Sequence, residues 1–176
     1  MMNETLAASR ARWIFAAIGV SCVGLLGIAY FLQYGPGQQQ PCPLCILQRY
    51  VYMTIAVVAL GAAVMGTKRT ATMVIAIVLT VFAAIGAALA LWQVTKGDSM
   101  TSCDTDLVGQ IVYALPTRAW WPEFLAAYGG CADKFPPIFG LSAPLWSLLW
   151  FAGFTAICGF IFIKLWRSGG VSWQPG

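Results

Sequence analysis

Histidine is absent from the chain, and that absence removes imidazole acid/base catalysis, haem ligation through histidine and histidine-based metal sites together. Charge is scarce too. Only 9% of the 176 residues are charged and 60% are hydrophobic, whereas a soluble domain carries about 25% charged residues. A chain this poor in charge is expected inside a membrane, as a single domain over residues 1–176. The net charge of +4 is not the footprint of a nucleic-acid binder, because the ten Lys and Arg residues are scattered near the ends of apolar runs, where they set topology. No nucleic-acid partner is expected, and membrane lipid is. With imidazole gone, cysteine or carboxylate must carry any chemistry.

Four apolar stretches are each long enough to cross a hydrocarbon core of about 30 Å at about 1.5 Å per helical residue. They run over residues 13–34, 45–65, 71–94 and 143–163. Arg10 and Arg12 precede the first in the manner of a signal peptide, but its apolar run continues for about 20 residues without an A-x-A-type site, so an uncleaved span is expected. The connections alternate between short and long. Gly66 to Thr70 makes a tight basic turn, while residues 35–44 and 95–142 form the other two loops.

The basic residues Arg10, Arg12, Lys68, Arg69, Lys164 and Arg167 all fall on one side of this four-span frame. By the positive-inside rule that side is cytoplasmic, and both termini lie there. The opposite side receives Asp98, Asp104, Asp106, Glu123 and Asp133. It also receives Cys42, Cys45, Cys103 and Cys131, where disulfides persist. The other two cysteines, Cys22 and Cys158, sit inside the first and fourth spans and read as small apolar core residues.

Within the second long loop Trp120, Trp121, Phe124, Leu125 and Tyr128 recur at the spacing of one helix face. That pattern predicts a short helix, unable to span, lying on the membrane surface. The expected fold is therefore an all-α membrane protein: a four-transmembrane-helix bundle with a long external loop carrying a short membrane-surface helix.

The stretch Gln40 to Tyr50 organises the rest. Pro43 suits the first position of a helix, since its missing N–H would be unpaired there anyway, and this places Cys42 at the N-cap. Cys45 and Arg49 then share a face. A helix N-terminus and a nearby guanidinium both favour thiolate over thiol. A lone C-x-x-C is shared by redox motifs, zinc sites and structural bridges. A zinc site wants ligands in a reducing or protected place, so no metal is expected on the oxidising side. The second pair, Cys103 and Cys131, is on that same side, with Gly129 and Gly130 beside Cys131 to allow backbone swings. Two pairs suffice for a thiol–disulfide relay. Exchange only moves electrons between sulfurs, so net oxidation needs a final acceptor, and at Cys45 it must be lipid-soluble, as a quinone is. Arg49, the only charged residue between Pro36 and Thr67, reads either as a hydrogen-bond donor to quinone oxygens or as a cation snorkelling to the interface.

The order of features resembles the disulfide bond formation protein B (DsbB) family of bacterial inner membranes. The residues that carry the resemblance are Pro41-Cys42-Pro43-Leu44-Cys45 with Arg49, the basic turn, Ser102-Cys103-Asp104, Leu115-Pro116, Trp121-Pro122, Gly130-Cys131-Ala132, Phe139-Gly140-Leu141 and Pro144-Leu145-Trp146. The resemblance implies a multi-pass inner-membrane enzyme with its redox cysteines on the periplasmic side. Its electrons would go to ubiquinone or menaquinone, and its partner would be a periplasmic DsbA-like thioredoxin-fold oxidase. The DsbA, DsbB and quinone system is what keeps the bacterial periplasm oxidising. By the same resemblance Cys103 accepts the mixed disulfide from the partner, Cys131 engages Cys42, and Cys45 is left as a thiolate facing the quinone beside Arg49. Two alternatives differ in ways the sequence exposes. In vitamin K epoxide reductase-like enzymes the membrane C-x-x-C follows the loop pair, whereas here it comes first. A four-span scaffold with a disulfide-stapled loop gives no reason for a cysteine pair at a lipid-embedded helix start.

Overall fold

The computed structural model describes residues 2–35, 40–66, 68–96, 107–129 and 137–168. Its four long helices are α1 (Met2–Tyr34), α2 (Pro43–Met65), α3 (Arg69–Lys96) and α7 (Ala143–Ser168), and each contains a segment long and apolar enough to cross a membrane. Three short helices, α4 (Leu107–Ala114), α5 (Thr117–Trp120) and α6 (Pro122–Leu125), lie between α3 and α7. Among the described residues there is no strand, only an isolated bridge between Ile138 and Leu141.

Side-chain size is distributed as a lipid solvent requires. Large apolar residues such as Val20, Phe31, Val57, Val64, Ile77, Val81 and Phe160 are exposed around the girth of the bundle, while Ala56, Ala59, Ala76, Ala83 and Ala90 are buried between helices. Lipid tails are as apolar as leucine, so helices associate through close packing, which small residues permit. Gly86 shows how close α3 and α7 come: a β-carbon added there would stand 2.5 Å from the Phe151 ring. Phe151 in turn stacks on Tyr52 of α2, with ring centroids 4.1 Å apart. The main packing pairs are α1 with α2, α2 with α3, and α3 with α7. Helix α2 is the central one, since 50% of its most apolar window is buried, against 22%, 28% and 28% in α1, α3 and α7.

The ends of the helices follow from local sequence. Cys42 is the N-cap of α2 and Pro43 opens the helix, as the missing proline N–H predicts. Gly66 closes it in the left-handed conformation, φ 60°. At the basic end of the bundle, Arg69 donates to the Leu165 carbonyl in the last turn of α7. There a guanidinium meets the negative end of the helix.

The short surface helix exists, but in two one-turn pieces. Pro122 occupies the first turn of α6 and forces the residue before it out of the helical region, so Trp121 adopts φ −145° and ψ 69°. The aromatic face is therefore split. Phe124 and Leu125 turn inward and are buried, while Trp120, Trp121 and Tyr128 are exposed. Helix α4, which the sequence pattern did not single out, packs on the start of α2 and buries Val112 beside Ile46 and Ala127.

Candidate active site

The start of α2 brings together the most polar part of the buried interior. Cys42 and Cys45 place their Sγ atoms 2.9 Å apart, and the Cys45 backbone N–H donates to Cys42 Sγ at 3.4 Å, as expected of an N-cap side chain. Cys42 is 2% exposed, whereas Cys45 is only partly buried. The hydrogen bond to Cys45, and after it burial, push the Cys42 thiol up from its ordinary range; backbone N–H donors at the helix start pull the other way and lose. The helix terminus was expected to favour thiolate at this motif, and at Cys42 the neighbour and the burial outweigh it.

Arg49, one turn below Cys45, is 6% exposed, so it does not snorkel to water. Its Nη1 donates to Gln33 Oε1 of α1 at 2.8 Å and to the Phe124 carbonyl of α6 at 2.6 Å, and its guanidinium carbon stands 4.8 Å from the Phe124 ring centroid. Gln33 Nε2 and the Tyr34 hydroxyl donate to the Glu123 carbonyl at 2.8 and 2.7 Å. Carbonyls in the last turn of a helix have no partner within it. Arg49, Gln33 and Tyr34 satisfy two of them in α6, and this ties the loop to the bundle.

A second tie reaches the cysteine motif itself. The backbone N–H groups of Tyr128 and Gly129 both donate to the Pro41 carbonyl at 3.1 Å. A β-carbon on Gly129 would stand 2.3 Å from the Gln40 carbonyl oxygen. Gly129 is needed for this close approach, while Gly130 lies outside the described residues.

From the third side comes Gln93 of α3. Its Nε2 lies 3.3 Å from Cys42 Sγ and 3.2 Å from Cys45 Sγ, and its Oε1 accepts from Gln48 Nε2 at 2.8 Å. Sequence reading passed over Gln33, Gln48 and Gln93, though a signal was present. All three are polar residues within spans, near the same end of the frame, and polar groups in lipid are expensive unless they serve a purpose.

The expected site residues fall into two sets. Cys42, Cys45 and Arg49 are brought together here, while Cys103 and Cys131 lie outside the described residues. Cys22 and Cys158 are 0% exposed in the apolar core of the bundle. Among the described residues no three His, Cys, Asp or Glu side chains gather as metal ligands.

Known proteins can now be set beside this geometry. A family model described as "Disulfide bond formation protein DsbB" matches residues 11–161. Disulfide bond formation protein B 1 of Burkholderia lata is 36% identical over 168 residues, covering 95% of this chain and 96% of its own. Disulfide bond formation protein B of Burkholderia thailandensis is 37% identical over 153 residues, covering 86% of this chain and 89% of its own. Disulfide bond formation protein B 1 of Pseudomonas entomophila is 39% identical over 153 residues, covering 85% and 89%.

Proposed function

The chain belongs to the disulfide bond formation protein B family, and from that premise we propose that it is a quinone-reducing protein-disulfide oxidoreductase of the bacterial inner membrane that reoxidises a periplasmic DsbA-like thiol oxidase. The observation that carries the reading is the placement of the two sulfurs, 2.9 Å apart at the start of α2, next to Pro41, whose carbonyl is tied to the loop backbone at Tyr128 and Gly129. Both termini and Lys68 then face the cytoplasm, and the α4 to α6 loop faces the periplasm.

The partner's thiolate attacks the Cys103–Cys131 disulfide and forms a mixed disulfide on Cys103, releasing Cys131 as a thiolate. Cys131 attacks Cys42 Sγ, the Cys42–Cys45 bond breaks, and its electron pair stays on Cys45. The loop tie supports this second step. Gly129 is hydrogen-bonded to Pro41, the neighbour of Cys42, and two peptide steps of about 3.8 Å each separate Gly129 from Cys131.

Residues around Cys45 fit a quinone. Cys45 packs in an apolar cluster with Leu44 and Leu89, and Arg49, a charged donor with five N–H groups, is on the same face of α2. A quinone, when bound, supplies an acceptor for two electrons and two protons. Arg49 contributes charge-assisted hydrogen bonds to an oxygen that becomes more negative on reduction, while Gln33 and the Phe124 carbonyl hold its guanidinium in place.

The test is acid quenching and thiol alkylation of the purified protein after adding reduced partner, with and without a short-chain quinone. The expected result is sustained oxidation of the partner only when quinone is present, with both cysteine pairs cycling. Inert cysteines under both conditions would overturn the reading and leave a stapled scaffold.

A further inference from the structure

Gln93 is a buried amide that the proposed electron path leaves unused. It is 8% exposed, within a membrane span, and it spends its amide nitrogen on both sulfurs of the pair. Its oxygen is already engaged by Gln48, which is also buried. With Gln48 donating, that second bond sets the Gln93 oxygen toward Gln48 and leaves its nitrogen to meet the sulfurs.

The chemistry of sulfur says when such a donor matters. A thiol or disulfide sulfur is a weak acceptor, but a thiolate is an anion, and hydrogen bonds to ionised groups are roughly twice as strong as neutral ones. The contact is therefore stronger when the pair is open and charged than when it is closed. An interaction made preferentially in one state shifts both the rate of reaching that state and its equilibrium population.

Resting on the disulfide-exchange reading above, we propose that Gln93 is a catalytic residue that stabilises the thiolate formed on Cys45 when the Cys42–Cys45 disulfide opens, with Gln48 as the positioning residue that aims its amide. In the step concerned, an incoming thiolate forms a bond to Cys42 Sγ and the Cys42–Cys45 bond breaks. The electron pair of the broken bond remains on Cys45 Sγ, and no proton need move. A better-stabilised leaving thiolate departs faster. The same donor favours the open pair at equilibrium, which makes the disulfide more oxidising. Helix α3 thereby takes part in the exchange without contributing a cysteine.

The experiment uses the full-length protein, freed of quinone, in detergent. Reduced and oxidised glutathione serve both to open the Cys42–Cys45 disulfide and to set its equilibrium, with the thiols of this pair counted by acid quenching, alkylation and peptide mapping. Gln93→Leu is expected to slow opening roughly ten- to a hundredfold. It should also shift the equilibrium toward the disulfide by at least about tenfold, close to 30 mV for a two-electron couple. Gln48→Leu should shift both in the same direction by less. A merely structural bond between α2 and α3 would lower thermal stability and leave the potential where it was. If Gln93→Leu does not fold, Gln48→Leu decides: a shift toward the disulfide supports the assignment, and none overturns it. A folded Gln93→Leu protein whose opening rate and equilibrium stay within twofold of the parent also overturns it. Failure of the underlying function looks different, since the parent protein would then not oxidise its partner when quinone is supplied.

Discussion

Cys42 and Cys45 at the start of α2, and Cys22 and Cys158 in the middle of the bundle, are the same residue type within the same four helices. Their surroundings are opposites. Cys22 and Cys158 sit among Phe15, Ile18, Ile55, Ala59, Leu79 and Phe154 in one continuous apolar cluster. An apolar setting of this kind is one in which a free cysteine packs as a small hydrophobe. Around Cys42 and Cys45, by contrast, three helices and a loop contribute Gln93, Gln48, Arg49, Gln33 and the tied backbone of Pro41 and Gly129. Polar groups are costly at such a depth, so the gathering of glutamine and arginine side chains at one end marks that end as the candidate site. What distinguishes Cys42 and Cys45 from Cys22 and Cys158 is the company of donors.

The comparison breaks most visibly if a cysteine at the polar end is lost. Cys45→Ser and Cys103→Ser should each reduce oxidation of the partner to background, but they should stop at different points. With Cys103→Ser, the Cys42–Cys45 pair should stay oxidised when reduced partner is added; with Cys45→Ser, electrons should enter the loop pair and not leave. Alkylation after acid quenching separates the two. Reduction of the Cys42–Cys45 pair at parental speed in Cys103→Ser would make the loop a spectator.

The next largest effect is expected at Arg49. A hydrogen bond from a charged donor is worth about 1.5 to 3 kcal/mol, so Arg49→Gln should raise the quinone KM roughly ten- to a hundredfold. Arg49→Lys should fall between, keeping the charge but losing the planar fork. Steady-state kinetics at varied quinone concentration provides the measurement. A KM within twofold of the parent would restrict Arg49 to clamping the Phe124 carbonyl.

Gly129→Ala sharpens the comparison from the loop side. The new β-carbon would collide with the Gln40 carbonyl oxygen, 2.3 Å away, and should push the loop off Pro41. Misplacement by about 1 Å costs up to roughly a hundredfold in rate, so transfer between the two cysteine pairs should slow about tenfold or more while the quinone KM stays near its parental value. Rapid-quench alkylation reads the first quantity and quinone titration the second. An unchanged transfer rate would show that the Pro41 tie has no part in bringing the pairs together.

The smallest effect belongs to the apolar end. Cys22→Ala with Cys158→Ala should leave partner oxidation within about threefold, with a stability loss of about 1 kcal/mol per buried sulfur. Loss of more than tenfold activity at equal protein level, about 1.4 kcal/mol of barrier, would reveal a third redox pair.

Much of this contrast was legible before any coordinates. Apolar runs of spanning length give the four helices, and Pro43 after Cys42 gives the helix start, because both signals are local and depend on backbone chemistry alone. The break at Trp121 was equally local, in that Pro122 restricts the residue before it, but the aromatic spacing concealed it. The polar cluster was harder. Gln33, Gln48 and Gln93 are 15 and 45 positions apart in the chain, and only the alternation of helix direction puts them at one level. Arg49 was singled out by its charge, yet its two roles read from sequence, quinone donor and snorkelling cation, both overlooked the loop carbonyl that it holds. A side chain's partner across 75 positions is set by packing, which the local pattern does not encode.

One measurement bears most directly on the division between the two ends. The protein is sampled through a single turnover with reduced partner and quinone, quenched in acid, labelled before and after reduction with two distinguishable alkylating reagents, and mapped by mass spectrometry. The account predicts that Cys42, Cys45, Cys103 and Cys131 alternate between thiol and disulfide during the turnover, and that Cys22 and Cys158 are thiols at every time point. Exchange at Cys22 or Cys158, or a Cys42–Cys45 pair that never opens, would contradict it.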